Sequence, residues 1–246
     1  MDGPAGIARC NFAVFEGCGK PHHARRSTMT TFIRKKVEIE EAEASMTFRS
    51  GQFRRAPFSL AEKNIYLLGM RASGKSTVGR ALAKVLECDC LDTDAMVVEA
   101  AGRSIDAIVA DGGWDEFRRQ ESEALARAAE LPGKVVATGG GIVLSEANRG
   151  LLGRTGVCFY LGADAALLTK RLIQDPDAAQ RPALTTLDLH EEVASVMAER
   201  EPLYMVCMDH MLQAHRSVDE LVDDILVALG LKEWDFTEKE RVLDRY

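Results

Sequence analysis

At 246 residues, with 46 % hydrophobic and 28 % charged content, the chain has the size and composition of one α/β globular domain with an appendage. No apolar run approaches the roughly 18 residues of a membrane span. The net charge of −7 argues against nucleic acid as a main partner, because phosphate backbones call for a basic surface.

Charge is unevenly spread. Residues 1–60 hold ten Lys/Arg and six Asp/Glu, a balance of +4 that leaves −11 for residues 61–246 of a chain totalling −7. An acidic domain that binds anions must gather its cations at the site, so its arginines are informative. Residues 1–60 show no hydrophobic periodicity and read as a poorly ordered extension. A basic patch (Arg34, Lys35, Lys36) precedes an acidic one (Glu38, Glu40, Glu41, Glu43). Those acids speak against a transit peptide, and no apolar segment of a secretory signal follows the basic residues. Cys10, Cys18, His22 and His23 match no zinc spacing. Six cysteines in a chain this long form no disulfide scaffold, so the expected compartment is the cytoplasm. Cys158 and Cys207 lie in apolar segments and read as buried thiols.

The domain is expected over 61–231. Ile65–Leu68 is a short apolar run ending at glycine, as a buried strand does. Val78, Ala81, Leu82, Val85 and Leu86 follow at helical spacing. Further strands are predicted at Cys90–Leu91, Val135–Ala137, Val157–Leu161 and His210–Leu212, separated by helical patterns that end with Val218–Leu229. Such alternation implies a parallel sheet covered on both faces, with ligands at the carboxyl ends of its strands. Residues 232–246 read as a short charged tail.

Gly69-Met70-Arg71-Ala72-Ser73-Gly74-Lys75-Ser76 fits G-x-x-x-x-G-K-[ST] between a strand and a helix. Glycines let successive N–H groups turn inward onto phosphate oxygens, Lys75 reaches the β/γ-phosphates, and the Ser76 hydroxyl is a Mg²⁺ ligand. The motif establishes nucleotide binding and leaves the acceptor open. After the second strand, Asp92-Thr93-Asp94 offers two carboxylates that can divide labour between metal and acceptor hydroxyl. Asp94 reads equally as a plain helix N-cap. Arg118 sits three positions before Glu121, where the carboxylate can aim the guanidinium, whereas Arg119 reads as solvated. Gly139-Gly140-Gly141 suggests a backbone approached closely by a ligand. Arg200 falls on the apolar series Leu189, Val193, Val196, Met197, where a snorkelling arginine is the plain alternative.

In this order, the G-x-x-x-x-G-K-S loop, Asp92-Thr93-Asp94, Phe117-Arg118-Arg119, Gly139–Gly141, Arg181-Pro182 and Arg200-Glu201-Pro202-Leu203-Tyr204 resemble the shikimate kinase family over about 62–230. The resemblance implies a P-loop kinase fold: a five-stranded parallel sheet with helices on both faces, a substrate-binding helical segment and a mobile lid. It implies transfer of the γ-phosphoryl of MgATP to the 3-hydroxyl of shikimate, a step toward aromatic amino acids, by a protein expected to be a monomer. Carried over, Ala72, Ser73, Gly74, Lys75, Ser76, Thr77, Arg181 and Arg216 would contact nucleotide, and Ser76 and Asp92 would serve Mg²⁺. Asp94 would accept the hydroxyl proton, assisted by Lys75 and the lid residue Arg181. Arg118 and Arg200 would clamp the carboxylate beside the Gly139, Gly140 and Gly141 backbone. Ala72 stands where the family commonly has glycine, which is compatible if its φ is negative. A gluconate kinase on the same fold would lack need of the Arg118/Arg200 pair; a non-catalytic nucleotide module would not require Lys75, Ser76 and Asp94 together.

Overall fold

Asn64–Leu68, the first strand (β1), has all five residues buried, as expected of a strand covered on both faces. The structure, a computed structural model, describes residues 58–174 and 188–232. Residues 1–57, 175–187, where the expected lid with Arg181 falls, and 233–246 lie outside the described residues. Asn64 is buried because its side chain works at the strand entrance: Oδ1 accepts from Lys134 N at 2.9 Å and Nδ2 donates to the carbonyls of Ala128 and Leu131 at 3.4 Å.

Four more strands complete the sheet: β2 (Cys90–Asp92), β3 (Val135–Ala137), β4 (Gly156–Gly162) and β5 (His210–Gln213). All pairings are parallel, in the order β2-β3-β1-β4-β5. The expected sheet is thus present, each strand within a residue or two of its sequence signal. Alternation along β1 divides the core. Ile65 and Leu67 face α1 (Lys75–Val85) and α7 (Val218–Ala228), joining Val78, Leu82, Leu221 and Ile225. Tyr66 and Leu68 face the other layer, formed by α3 (Ile105–Ala129), α4 (Glu146–Thr155), α5 (Ala165–Gln174) and α6 (Leu189–Cys207). A smaller cluster of Val97, Ile108, Phe117 and Ala124 joins α2 (Thr93–Ala101) to α3. These two helices form the helical segment after the second strand. Gly113, at φ 73°, breaks α3 into two helical pieces, a conformation open to glycine at little cost.

The described residues begin at Phe58, whose N–H donates to Leu229 O at 3.3 Å and whose ring joins the α1/α7 core. α6 runs through Pro202 to Cys207. Tertiary contacts of Leu203 and Tyr204 with the core outweigh the missing proline donor. Cys158 is buried as expected, but Cys207 is only half-buried because it lies at the helix end.

Candidate active site

The loop from Gly69 to Ser76 turns at the carboxyl end of β1 into the first residues of α1, the strand-to-helix junction the sequence pattern requires. Gly69 and Gly74 take φ of 146° and 101°, which brings the backbone inward. Ala72 takes φ 64°, so the expected negative φ is not found and alanine occupies the left-handed region. The Arg171 guanidinium holds this turn from α5, donating to Ala72 O and Ser73 O at 3.2 Å each and to Ala214 O at 2.8 Å. Lys75 is buried and spans the loop, its Nζ donating to Met70 O at 2.7 Å and Gly69 O at 2.9 Å. A cavity of about 590 Å³ opens here, lined by Ala72 through Thr77 together with Asp92, Asp94, Gly140, Arg171 and Arg216. Arg216 reaches the cavity wall while paired with Asp224 and, at 3.3 Å, Glu220.

Asp92 and Asp94 do divide labour, but differently from the simplest expectation. The N-cap of α2 is Asp92, whose Oδ1 accepts from Asp94 N at 3.0 Å and Ala95 N at 3.3 Å. The cap reading of Asp94 is therefore overturned: a cap accepts from N–H groups ahead of it, and at residue 94 the chain is already helical. The second Asp92 oxygen accepts from Ser76 Oγ at 2.6 Å. Asp94, in the first turn of α2, lines both the large cavity and a smaller adjoining pocket.

That pocket is walled by Trp114, Phe117, Arg118, Glu121, Gly140, Gly141 and Arg200. Arg118 bonds Glu121 at 2.5 Å, as the i,i+3 spacing predicts, and lies 5.4 Å from the Trp114 ring centre and 5.2 Å from that of Phe117. Arg119 points to solvent with Glu116 and Glu123. Glu121 is buried, and burial lifts its carboxyl above the ordinary range against the opposing pull of Arg118. Arg200 does not snorkel. It is 7 % exposed and donates to Gly140 O at 3.2 Å, because residues 192, 196, 200 and 204 share one inward face of α6. Burial pushes its pKa down from the guanidinium value. Arg200 Nε and Glu121 Oε1 have no hydrogen-bond partner among the described residues, an arrangement expected where a polar ligand completes the set.

The glycine triplet is small for a reason other than close approach of a ligand along its whole length. None of the three has a positive φ. A Cβ on Gly139 would fall into the Glu121 and Asp94 carboxylates, and one on Gly141 into the Arg118 guanidinium. Two of the glycines thus make room for the protein's own charged side chains, while Gly140 and Gly141 line the pocket. Gly140 O is also held by the Tyr204 hydroxyl, which donates at 2.5 Å from a ring stacked on Tyr160 at 4.9 Å. Sequence reasoning left Tyr204 without a role and overlooked Arg171. The signal for Arg171 was its place three residues after Leu168, at the border of the apolar stripe of α5.

Comparison with known proteins agrees with this geometry. A family model described as Shikimate kinase matches residues 71–230. A shikimate kinase of Nitratidesulfovibrio vulgaris is 48 % identical over 166 residues, covering 68 % of this chain and 95 % of its own. A shikimate kinase 2 of Yersinia enterocolitica is 44 % identical over 168 residues, covering 68 % and 96 %. The solved shikimate kinase from Acinetobacter baumannii in complex with shikimate superposes with a TM-score of 0.66 at 29 % identity, over 71 % of this chain and 97 % of that one. With a nucleotide cradle, a paired-guanidinium pocket and a carboxylate between them on the matching sheet, the chain belongs to the shikimate kinase family.

Proposed function

We infer that the protein transfers the γ-phosphoryl of MgATP to the 3-hydroxyl of shikimate, giving shikimate 3-phosphate. The observation that carries this reading is the convergence of two guanidinium groups, Arg118 and Arg200, on a pocket that shares Asp94 and Gly140 with the nucleotide cavity. A carboxylated acceptor needs cations away from the phosphates, and this pocket supplies two. Asp94 at the junction is placed to accept the hydroxyl proton as the oxygen attacks phosphorus. The loop amides, the first turn of α1 and Lys75 hold the phosphates in line, the positioning on which this chemistry mostly rests. Arg181, on the lid, would close over the phosphates and exclude water.

The donor set beside the loop suits Mg²⁺. Ser76 Oγ and Asp92 Oδ2 are adjacent hard oxygens, suited to an ion held by one or two protein oxygens and the phosphates of its substrate. When bound, Mg²⁺ would neutralise charge on the β- and γ-phosphate oxygens. We place the protein as a cytoplasmic monomer, which light scattering of the purified chain and localisation of a tagged copy would test. Among the described residues, no helix is long and apolar enough to cross a membrane.

The deciding measurement is a coupled ADP-release assay with MgATP and either shikimate or gluconate. Turnover with shikimate alone is expected; turnover with gluconate alone would overturn the acceptor assignment.

A further inference from the structure

Three residues, Arg71, Asp94 and Gly140, line both the nucleotide cavity and the acceptor pocket. A phosphoryl group moving from one to the other passes the boundary these three define. Asp94 gives that boundary a carboxylate and Gly140 a stretch of backbone, so Arg71 is its cation. Its side chain comes from the phosphate loop itself and is partly buried. Its guanidinium lies 3.4 Å from Glu192, a carboxylate buried in the first turn of α6. Glu192 lies two helical turns before Arg200 on the same inward face, and the Arg71 backbone N would lie 3.4 Å from a Cβ on Gly140. Arg71 is thereby anchored in the loop, contacted from α6 and set beside the glycine turn. Lys75, the loop's other cation, donates from Nζ to the loop atoms Gly69 O, Met70 O and Ser73 Oγ.

We propose that Arg71 is a catalytic residue of the phosphoryl transfer, donating N–H bonds to the non-bridging oxygens of the group in flight, with Glu192 as its positioning partner. In that step the acceptor oxygen forms a bond to γ-phosphorus and the bond from γ-phosphorus to the β–γ bridging oxygen breaks. ADP leaves with the electron pair, and the hydroxyl proton passes to Asp94. Arg71 exchanges no atom. Its charge counts most when negative charge is spread over the equatorial oxygens, so its contribution belongs to turnover rather than ground-state binding. This rests on the kinase reading above.

The test uses the full chain and measures kcat, both KM values and melting temperature for Arg71→Ala, Arg71→Lys and Glu192→Gln. Removing one preorganised charge-stabilising donor typically costs about 10²–10³ in kcat, and that loss is expected for Arg71→Ala with both KM values within about threefold of wild type. Guanidinium chloride at tens of millimolar is expected to restore part of the Ala variant's kcat while leaving wild type unchanged, which a merely structural arginine would not show. Glu192→Gln is expected to give a smaller kcat loss, about tenfold, since the cation remains but is less well aimed. Wild-type kcat in Arg71→Ala, a loss confined to the shikimate KM, or no rescue by guanidinium would overturn the proposal. If Arg71→Ala does not fold, Arg71→Lys decides: it keeps the charge but not the planar fork, and unchanged kcat there would also overturn it. Failure of the underlying reading looks different, because then wild type itself would not phosphorylate shikimate.

Discussion

The two halves of the site are built from different materials. The nucleotide half is mostly backbone from one continuous stretch, Gly69–Ser76, set between a buried strand and the helix it starts. The acceptor half is mostly side chains drawn from α2, α3, the turn after β3, and α6, residues separated by more than a hundred positions. A backbone cradle tolerates most side-chain changes but is sensitive to φ. A side-chain pocket is indifferent to φ and sensitive to each charge. Substitutions in the two halves should therefore fail in different ways, in KM and turnover for the acceptor half and in loop conformation for the nucleotide half.

The largest effect is expected at the carboxylate between them. Asp94→Asn keeps a hydrogen-bonding group but can take no proton, and general-base help is worth about 10²–10⁴ in rate. A turnover loss in that range is expected, with ATP affinity and melting temperature held, because the cap of α2 is Asp92. Wild-type turnover in the purified variant would remove Asp94 from the chemistry. Next comes Arg200→Ala, which on the proposed reading leaves the substrate carboxylate with Arg118 alone. Truncating one partner of a buried charge pair costs about 2–5 kcal/mol. The shikimate KM should rise at least about 30-fold while the ATP KM stays level. An equal rise in both would mean that α6 positions the whole site rather than the acceptor alone.

Glu121 sharpens the comparison because it is a charge held in the acceptor half at some cost to the fold. Burial, the first cause, and the nearby Asp94 raise its pKa above the ordinary 4.5, with Arg118 opposing them. A carboxyl with a raised folded pKa keeps its proton in the native state to higher pH than in the unfolded chain. Stability therefore falls as pH climbs from about 4.5 through the folded value. Glu121→Gln should remove that fall, so its melting temperature should gain on wild type as pH rises from 4 to 7, while kcat/KM for shikimate drops as Arg118 loses its aim. A melting-temperature difference that is flat across this range would mean Arg118 keeps Glu121 ionised throughout.

What the sequence made legible follows the same division. The five strands and the phosphate loop were readable because each is a local pattern: a short buried run, a glycine, then helical spacing. Arg118 with Glu121 was readable too, as a pair on one helical turn. Arg200 was ambiguous, because periodicity places a residue on a face without saying what that face meets; the Gly140 carbonyl opposite it shows that the guanidinium turns inward rather than snorkelling. Arg171, Glu192 and Tyr204 act across 99, 121 and 64 positions, on Ala72 O, Arg71 and Gly140 O. No spacing rule spans such separations. The cap alternative fell on Asp94 rather than Asp92 for a smaller reason, a helix start misplaced by two residues.

The smallest expected effect tests the nucleotide half. Ala72 lies at φ 64°, where a Cβ crowds the following carbonyl at a cost of about 1–2 kcal/mol. Arg171, bonded to the carbonyls of Ala72 and Ser73, helps hold the turn there. Ala72→Gly removes that crowding but frees the unfolded chain, which offsets about 0.4–1 kcal/mol, and gives up a half-buried methyl at the edge of the core. The net change should fall between about 0 and 1 kcal/mol of stabilisation, a melting-temperature rise of at most about 4 °C for a domain of this size, with the ATP KM nearly unchanged. Ala72→Val is the informative partner, since a β-branched residue at positive φ is a true outlier. It should lower the melting temperature and raise the ATP KM while leaving the shikimate KM alone. The order glycine at or above alanine, with valine well below both, is what a φ-sensitive cradle predicts; a glycine variant that melts well below wild type would show that the methyl's contacts, not the backbone angle, decide this position.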